Sequence, residues 1–219
     1  MSGRKIDQII CQVLRSKSVI NKTASCQDLV LVRVRTDEGL EGIGEADSSP
    51  EVVKAIIDAP FSHNIACGLR EILIGENPLE TDRLWQKMLR QTMYFGRTGV
   101  TISAMSAIDM ALWDLKGKHF GEPIHRLLGG KQHDRFRAYA SILFGTDGAE
   151  TREIGQRWIE DGYTAVKFGW EPMGQSEQLD LKLVAGARDG LADATLLVDA
   201  GCVWDARTAL RRAHAFSPF

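Results

Sequence analysis

The chain has 219 residues, 44% of them hydrophobic and 26% charged, an ordinary globular balance long enough for one large domain or two modest ones. Its 27 basic and 29 acidic residues leave a net charge of −2 with no basic stripe or acidic block, so neither nucleic acid nor a disordered tail is indicated. No apolar run approaches the ~20 residues of a membrane span, and the polar start, Met1 to Asp7, is unlike a signal peptide. Cys11, Cys26, Cys67 and Cys202 are scattered without a CxxC pair, which fits small buried positions in a reducing cytoplasm better than a zinc knuckle or a disulfide framework.

Ile6 to Leu14 is apolar and β-prone, and Asp28 to Thr36 alternates, with Val30, Val32 and Val34 on one side. Thr36-Asp37-Glu38-Gly39 is a turn signal, since Gly39 can take the positive φ such a turn requires. Leu40 to Ala46 returns as a third strand, so a three-stranded antiparallel meander is expected. The polar stretch Arg15 to Gln27 between the first two strands is a loop, and long loops on rigid sheets are common places for substrate contacts. Ser49-Pro50-Glu51 starts a helix with a cap, a first-turn proline and an acid suited to the helix dipole. Thr81 to Thr92 follows at helical spacing. The longest helix, about Gly99 to His119, is apolar nearly all round, as a helix buried between other elements would be. Its Asp109 and Asp114 then read as capping or pairing partners inside a packed interface.

Gly129-Gly130 marks a boundary, after which strands and helices alternate. Phe136 to Phe144, Thr164 to Phe168 and Thr195 to Ala200 read as strands. Glu150 to Asp161, closed by Gly162, Gln178 to Asp189, closed by Gly190, and Asp205 to Ala215 read as helices. The alternation implies βαβ units with right-handed crossovers, and the continuous apolar run at Thr195 to Val198 suits a strand covered on both faces. No GxGxxG or GxxxxGK follows any strand, and the glycines at 39, 42 and 44 lie in a hairpin, which argues against a nucleotide-binding sheet.

Ligands in parallel α/β sheets sit at the carboxyl ends of the strands. Those ends read Ser141 to Gly145, Val166-Lys167-Phe168-Gly169-Trp170, and Val198-Asp199-Ala200-Gly201. A lysine and an aspartate on neighbouring strand ends suit a divalent-cation site with a cationic neighbour that moves a proton or holds an anion, or else a simple ion pair. Trp170 could wall a pocket or pack against the first domain. Glu45, ending the third meander strand, could face a site or make a surface salt bridge.

The run from Ser103 to Lys118, with its A-x-D-x-A-x-W-D-x-x-G-K pattern ending Gly117-Lys118, followed by Leu127-Leu128-Gly129-Gly130, resembles the mandelate racemase / muconate lactonizing branch of the enolase superfamily. The Gly42-Ile43-Gly44-Glu45 meander and the pair Lys167 and Val198-Asp199-Ala200 add to that likeness. The resemblance implies an α+β capping domain, residues 1–128, on a modified TIM barrel, of which residues 129–219 hold the first three β/α units. It also implies magnesium-assisted abstraction of a proton α to a carboxylate, on a small carboxylate or sugar acid, ending in racemisation, cycloisomerisation or dehydration. Asp199 matches the first of three carboxylate metal ligands, and Lys167 the first lysine of the family's K-x-K motif. The second lysine, the usual general base, falls at Gly169, which cannot take a proton. With a barrel of about 250 residues represented by three units, the isolated chain is expected to be inactive. Its last strand would present an open apolar edge, a template for a homo-oligomer. The alternative is a non-catalytic interaction protein built on that edge.

Overall fold

A computed structural model describes residues 4–18 and 27–219; the expected loop around Val19 to Ser25 lies outside them. The chain divides into two compact units, with the break between Gln132 and His133.

In the first unit, β1 (Ile6–Leu14), β2 (Leu29–Thr36) and β3 (Glu41–Ala46) form an antiparallel meander in that order. Gly39 turns the β2–β3 hairpin at φ +81°, and its amide donates to Thr36 O at 2.9 Å. Val30, Val32 and Val34 point inward, as their alternation requires. On β1 the inward set is Ile6, Ile9 and Cys11, an uneven spacing explained by a register shift between Ile6 and Gln8. Burial, followed by the charge of Asp58, pushes the Cys11 thiol up to about 11, so it stays protonated.

Five helices follow: α1 (Pro50–Asp58), α2 (Leu69–Leu73), α3 (Thr81–Gln91), α4 (Val100–Phe120) and α5 (Ile124–Leu127). Ser49 holds the capping position of α1 without a side-chain hydrogen bond, so the start rests on Pro50 and the acid Glu51. Ala104, Met105, Ala107, Ile108, Ala111, Leu112 and Leu115 of α4 are fully buried. Asp114 accepts from the Ile43 amide and from Lys118 Nζ, both at 2.8 Å, so it ties α4 to β3. The two elements meet backbone to backbone: a Cβ at Gly42 would collide with Ala111 O, and one at Gly44 with Ala107 O. Small residues on both sides are therefore required.

The second unit is a parallel sheet of β4 (Ala140–Leu143), β5 (Ala165–Gly169) and β6 (Thr195–Asp199), each followed by a helix: α6 (Gly148–Glu160), α7 (Glu177–Leu191) and α8 (Ala206–Phe216). Each helix begins at a side-chain cap, with Asp147, Ser176 and Asp205 accepting from the amides of Glu150, Leu179 and Thr208. Together with the capping unit this is the arrangement of an incomplete TIM-type barrel. Among the described residues no helix is long and apolar enough to cross a membrane.

The structure corrects four readings. The first parallel strand is shorter than Phe136 to Phe144: Phe136 is 83% exposed, and Arg137 instead reaches Thr164 Oγ1 and Thr195 Oγ1 at 2.9 and 3.1 Å. Gly190 lies inside α7 rather than closing it, because its missing Cβ lets Arg152 O of α6 approach. β6 is not covered on both faces, since Leu197 and Val198 are each 37% exposed. Cys202 is exposed rather than buried.

Two glycines separate collision from conformation. Gly44→Ala is expected to cost about 3 kcal/mol or more by overpacking. Gly39→Ala meets open space but keeps a positive φ and is expected to cost about 1 kcal/mol. Urea unfolding of both variants checks the order.

Candidate active site

The sheet register brings the chemistry together. Lys167 pairs with Ser141 on one side and Leu197 on the other; one step on, Gly169 pairs with Leu143 and Asp199. Side chains alternate, so Lys167, Gly169, Leu197 and Asp199 share one face, while Val166, Phe168 and Leu196 pack into the apolar core with α7 residues. From one register step below, Lys167 Nζ reaches Asp199 Oδ2 at 3.1 Å. The ammonium also lies 5.1 Å from the centre of the Trp170 ring, a cation–π contact.

Asp199 is held at three atoms. Its Oδ2 accepts from Lys167, its Oδ1 accepts from the Gly201 amide at 3.0 Å, and its backbone oxygen accepts from the Trp170 amide at 3.1 Å. The Gly201 amide, and after it the Lys167 ammonium, hold the Asp199 carboxyl below the usual carboxylate range. The side chains of Lys167 and Asp199 are 21% and 37% exposed, so the pair is partly screened by water.

Two tight turns aim these groups. Trp170 sits at φ +61°, a backbone region that costs a bulky residue about 1–3 kcal/mol. Gly201 also has positive φ, and a Cβ there would lie 2.7 Å from Trp170 Cδ1. The indole therefore packs flush on the turn after β6. Gly169 leaves room beside the carboxylate: a Cβ there would stand 3.1 Å from Asp199 Cβ, tighter than ordinary contact.

Of the four residues singled out in the sequence, Lys167, Asp199 and Trp170 form one cluster. Glu45 belongs to the first unit, exposed on β3 with no ion-pair partner among the described residues, and the cluster is built without it. Gly201 was missed by sequence reasoning. Its signal was present: an aspartate two residues before a glycine is the pattern of an Asx turn, the hydrogen bond seen here.

Among the described residues no three His, Cys, Asp or Glu side chains converge as a metal site. Asp199 supplies one carboxylate, with both oxygens already engaged, whereas magnesium takes about six oxygen ligands in octahedral array. The residues present do not by themselves fit a bound magnesium ion.

An α+β cap joined to the opening units of a parallel β/α barrel, with a carboxylate and a lysine at the strand ends, defines a capped-barrel protein. The comparisons narrow that class. The mandelate racemase / muconate lactonizing enzyme N-terminal domain matches residues 5–129, and an enolase C-terminal domain-like region matches residues 150–219. The chain belongs to the mandelate racemase / muconate lactonizing enzyme family of the enolase superfamily. It is 32% identical over 177 residues to a D-galactarolactone cycloisomerase of Agrobacterium fabrum, covering 78% of this chain and 43% of that protein. It is 33% identical over 193 residues to a D-mannonate dehydratase of Novosphingobium aromaticivorans, covering 86% and 44%. A solved structure described as a predicted mandelate racemase from Rhodobacter sphaeroides superposes with a TM-score of 0.82 at 32% identity, covering 99% of this chain and 55% of that one. The chain thus spans about half the length of the relatives it matches.

Because its carboxyl is depressed in the fold, Asp199 contributes stability that is present above the unfolded value near 3.8 and lost as pH falls through the lower folded value. With its side chain over one-third exposed, that contribution is screened to about 0.5 kcal/mol. Asp199→Asn should lower stability by about that amount at pH 7, with the difference from the parent shrinking as pH falls below 3.8, measured by urea unfolding across that range.

Proposed function

We propose that this chain carries the capping domain and the opening barrel units of an acid-sugar dehydratase or a related racemase or cycloisomerase. The reaction class is abstraction of a proton α to a carboxylate. The observation that carries the reading is the Lys167–Asp199–Trp170 cluster at the carboxyl ends of β5 and β6, in a chain of this family. Relatives that match most of this chain are described as a D-mannonate dehydratase and a D-galactonate dehydratase, which supports a sugar acid as substrate class.

The roles follow from the geometry. Asp199, held ionised by the Gly201 amide and Lys167, keeps a fixed negative charge at the carboxyl end of β6. Lys167, fixed between a carboxylate and an indole, serves as a positive charge for a substrate carboxylate. Trp170 walls the site on the β5 side. Gly169 offers no proton acceptor where a base would stand, so this chain supplies neither a complete metal site nor that base, and alone it is inactive.

A second reading is favoured by the exposure of Leu197 and Val198 on β6: a non-catalytic protein that associates through the open strand. A carboxyl-terminal half-barrel from a relative, co-expressed with this chain, separates the two. Capture of that half-barrel together with gained magnesium binding supports the enzymatic reading; self-association alone supports the other.

With magnesium in D₂O, the isolated chain should exchange no α-proton of gluconate, galactonate or mannonate above a protein-free control, followed by ¹H NMR. Exchange above the control that disappears in Lys167→Met would overturn the role given to Lys167.

A further inference from the structure

A buried ion pair lies behind the site. Asp180, on the first turn of α7, is fully buried, and the side chain of Arg212 on α8 is 7% exposed. Arg212 Nε donates to Asp180 Oδ2 at 2.9 Å, and its guanidinium also pairs with the half-exposed Glu177. The other oxygen, Asp180 Oδ1, accepts from the backbone amide of Gly174 at 2.7 Å. The guanidinium carbon lies 6.0 Å from the Trp204 ring, which in turn faces Phe216.

Gly174 belongs to the loop joining β5 to α7, the loop that begins with Trp170. Trp204 belongs to the loop joining β6 to α8, the loop that follows Asp199. The two loops touch at Gly174, where a Cβ would stand 2.5 Å from Val203 Cγ2. Within the first loop, the Met173 amide donates to Trp170 O at 3.0 Å; within the second, the Val203 amide donates to Ala200 O at 3.3 Å. Hydrogen bonds, the peptide link from Gly174 to Met173 and one cation–π contact therefore join the ion pair to the indole and the lysine. The steps run from Arg212 to Asp180, to the Gly174 amide, to the Trp170 turn, and on to the Lys167 ammonium beneath the ring.

We propose that Asp180 and Arg212 are positioning residues that latch the Trp170 loop onto the loop after Asp199, and so hold the indole over Lys167. The inference rests on reading Lys167, Asp199 and Trp170 as the site. Its physical ground is the choice of partner. A buried charge pair stabilises a fold little better than apolar side chains of similar volume, yet it fixes geometry through directional hydrogen bonds. Asp180 has two carboxylate oxygens and two donors converging on them, one from a loop backbone and one from a different helix. An apolar residue would fill the space and leave the Gly174 amide without an acceptor. The strained φ at Trp170 has to be maintained by contacts at both ends of its loop: the Trp170 amide is held by Asp199 O, and the latch holds the far end at the Gly174 amide.

The test is amide hydrogen exchange and indole NMR on the whole chain, with the Trp170 indole signal identified by its loss in Trp170→Phe. In the parent protein the Gly174 amide should exchange slowly; exchange at the rate of an open loop amide overturns the latch. Asp180→Ala combined with Arg212→Met removes both buried charges together. It should speed Gly174 exchange at least tenfold relative to the amides of α7 and shift the Trp170 indole resonance. Asp180→Asn is isosteric but keeps a single acceptor oxygen for two donors, and should speed Gly174 exchange at least threefold with a smaller indole shift. Either folded variant with Gly174 exchange and the indole signal as in the parent overturns the proposal. No arm uses catalysis, so failure here leaves the acid-sugar reading standing, and failure of that reading leaves the latch standing.

Discussion

The carboxylate of Asp199 is the atom group on which the strand ends of the second unit are arranged. It takes the Lys167 ammonium on one oxygen and the Gly201 amide on the other, while its own carbonyl holds the Trp170 amide. Charge-assisted hydrogen bonds of this kind are about twice as strong as neutral ones, and the cation–π contact over Lys167 adds about 0.5–1 kcal/mol at a partly exposed site. The hydrogen bonds therefore decide the geometry and the indole trims it. Remove the carboxylate and the lysine keeps only its contact with the Trp170 ring among the described residues, while the β6 turn loses its Asx hydrogen bond.

Gly169 is the other half of that constraint. It lies opposite Asp199 in register, and even a methyl group there would crowd the Asp199 side chain at 3.1 Å. A longer side chain would have to lean away from Asp199 toward the open face. Glycine allows Asp199 and Lys167 to close on each other directly, and it leaves no proton-accepting side chain at this position. What this chain retains is charge: an ionised carboxylate and an ammonium fixed one register step apart.

The elements legible in the sequence were those in which periodicity and a local signal agreed. The β2 alternation of Val30, Val32 and Val34 met a glycine turn, and the uniformly apolar α4 met the small residues it needed against β3. Glycine was one source of error, because it signals both a helix end and a close approach. Gly162 ends α6 at φ +92°, whereas Gly190 lies within α7 so that α6 can come near. Phe136 was drawn into a strand by hydrophobicity alone, although Arg137 beside it is committed to the threonines at the starts of β5 and β6. At the site, Lys167 and Asp199 could be read because strand ends carry chemistry in parallel sheets. Asp180 and Arg212 could not, since 32 residues separate them and only the packing of α8 on α7 brings them together.

The two units differ in how far their own residues complete them, and the difference bears on where chemistry can sit. In the first, α4 closes the meander, and the valines of β2 are wholly buried. In the second, the helix-facing side of the sheet is comparably closed only over β5, by Val166 and Phe168 against Leu183, Val184 and Ala187, while Val198 of β6 stays partly exposed. The side bearing Lys167, Leu197 and Asp199 stays partly open. Parallel strands usually need cover on both faces; here apolar burial on the helix-facing side supplies the stability, and polar contacts at the two ends of the strands fix their register. Arg137 bridges the strand starts, and Asp199 with its partners organises the strand finishes. Lys167 and Asp199 hold the strand ends together while remaining partly exposed to solvent. Burial against the helices thus carries the stability of this unit, and the partly exposed polar groups set the geometry of its strand ends.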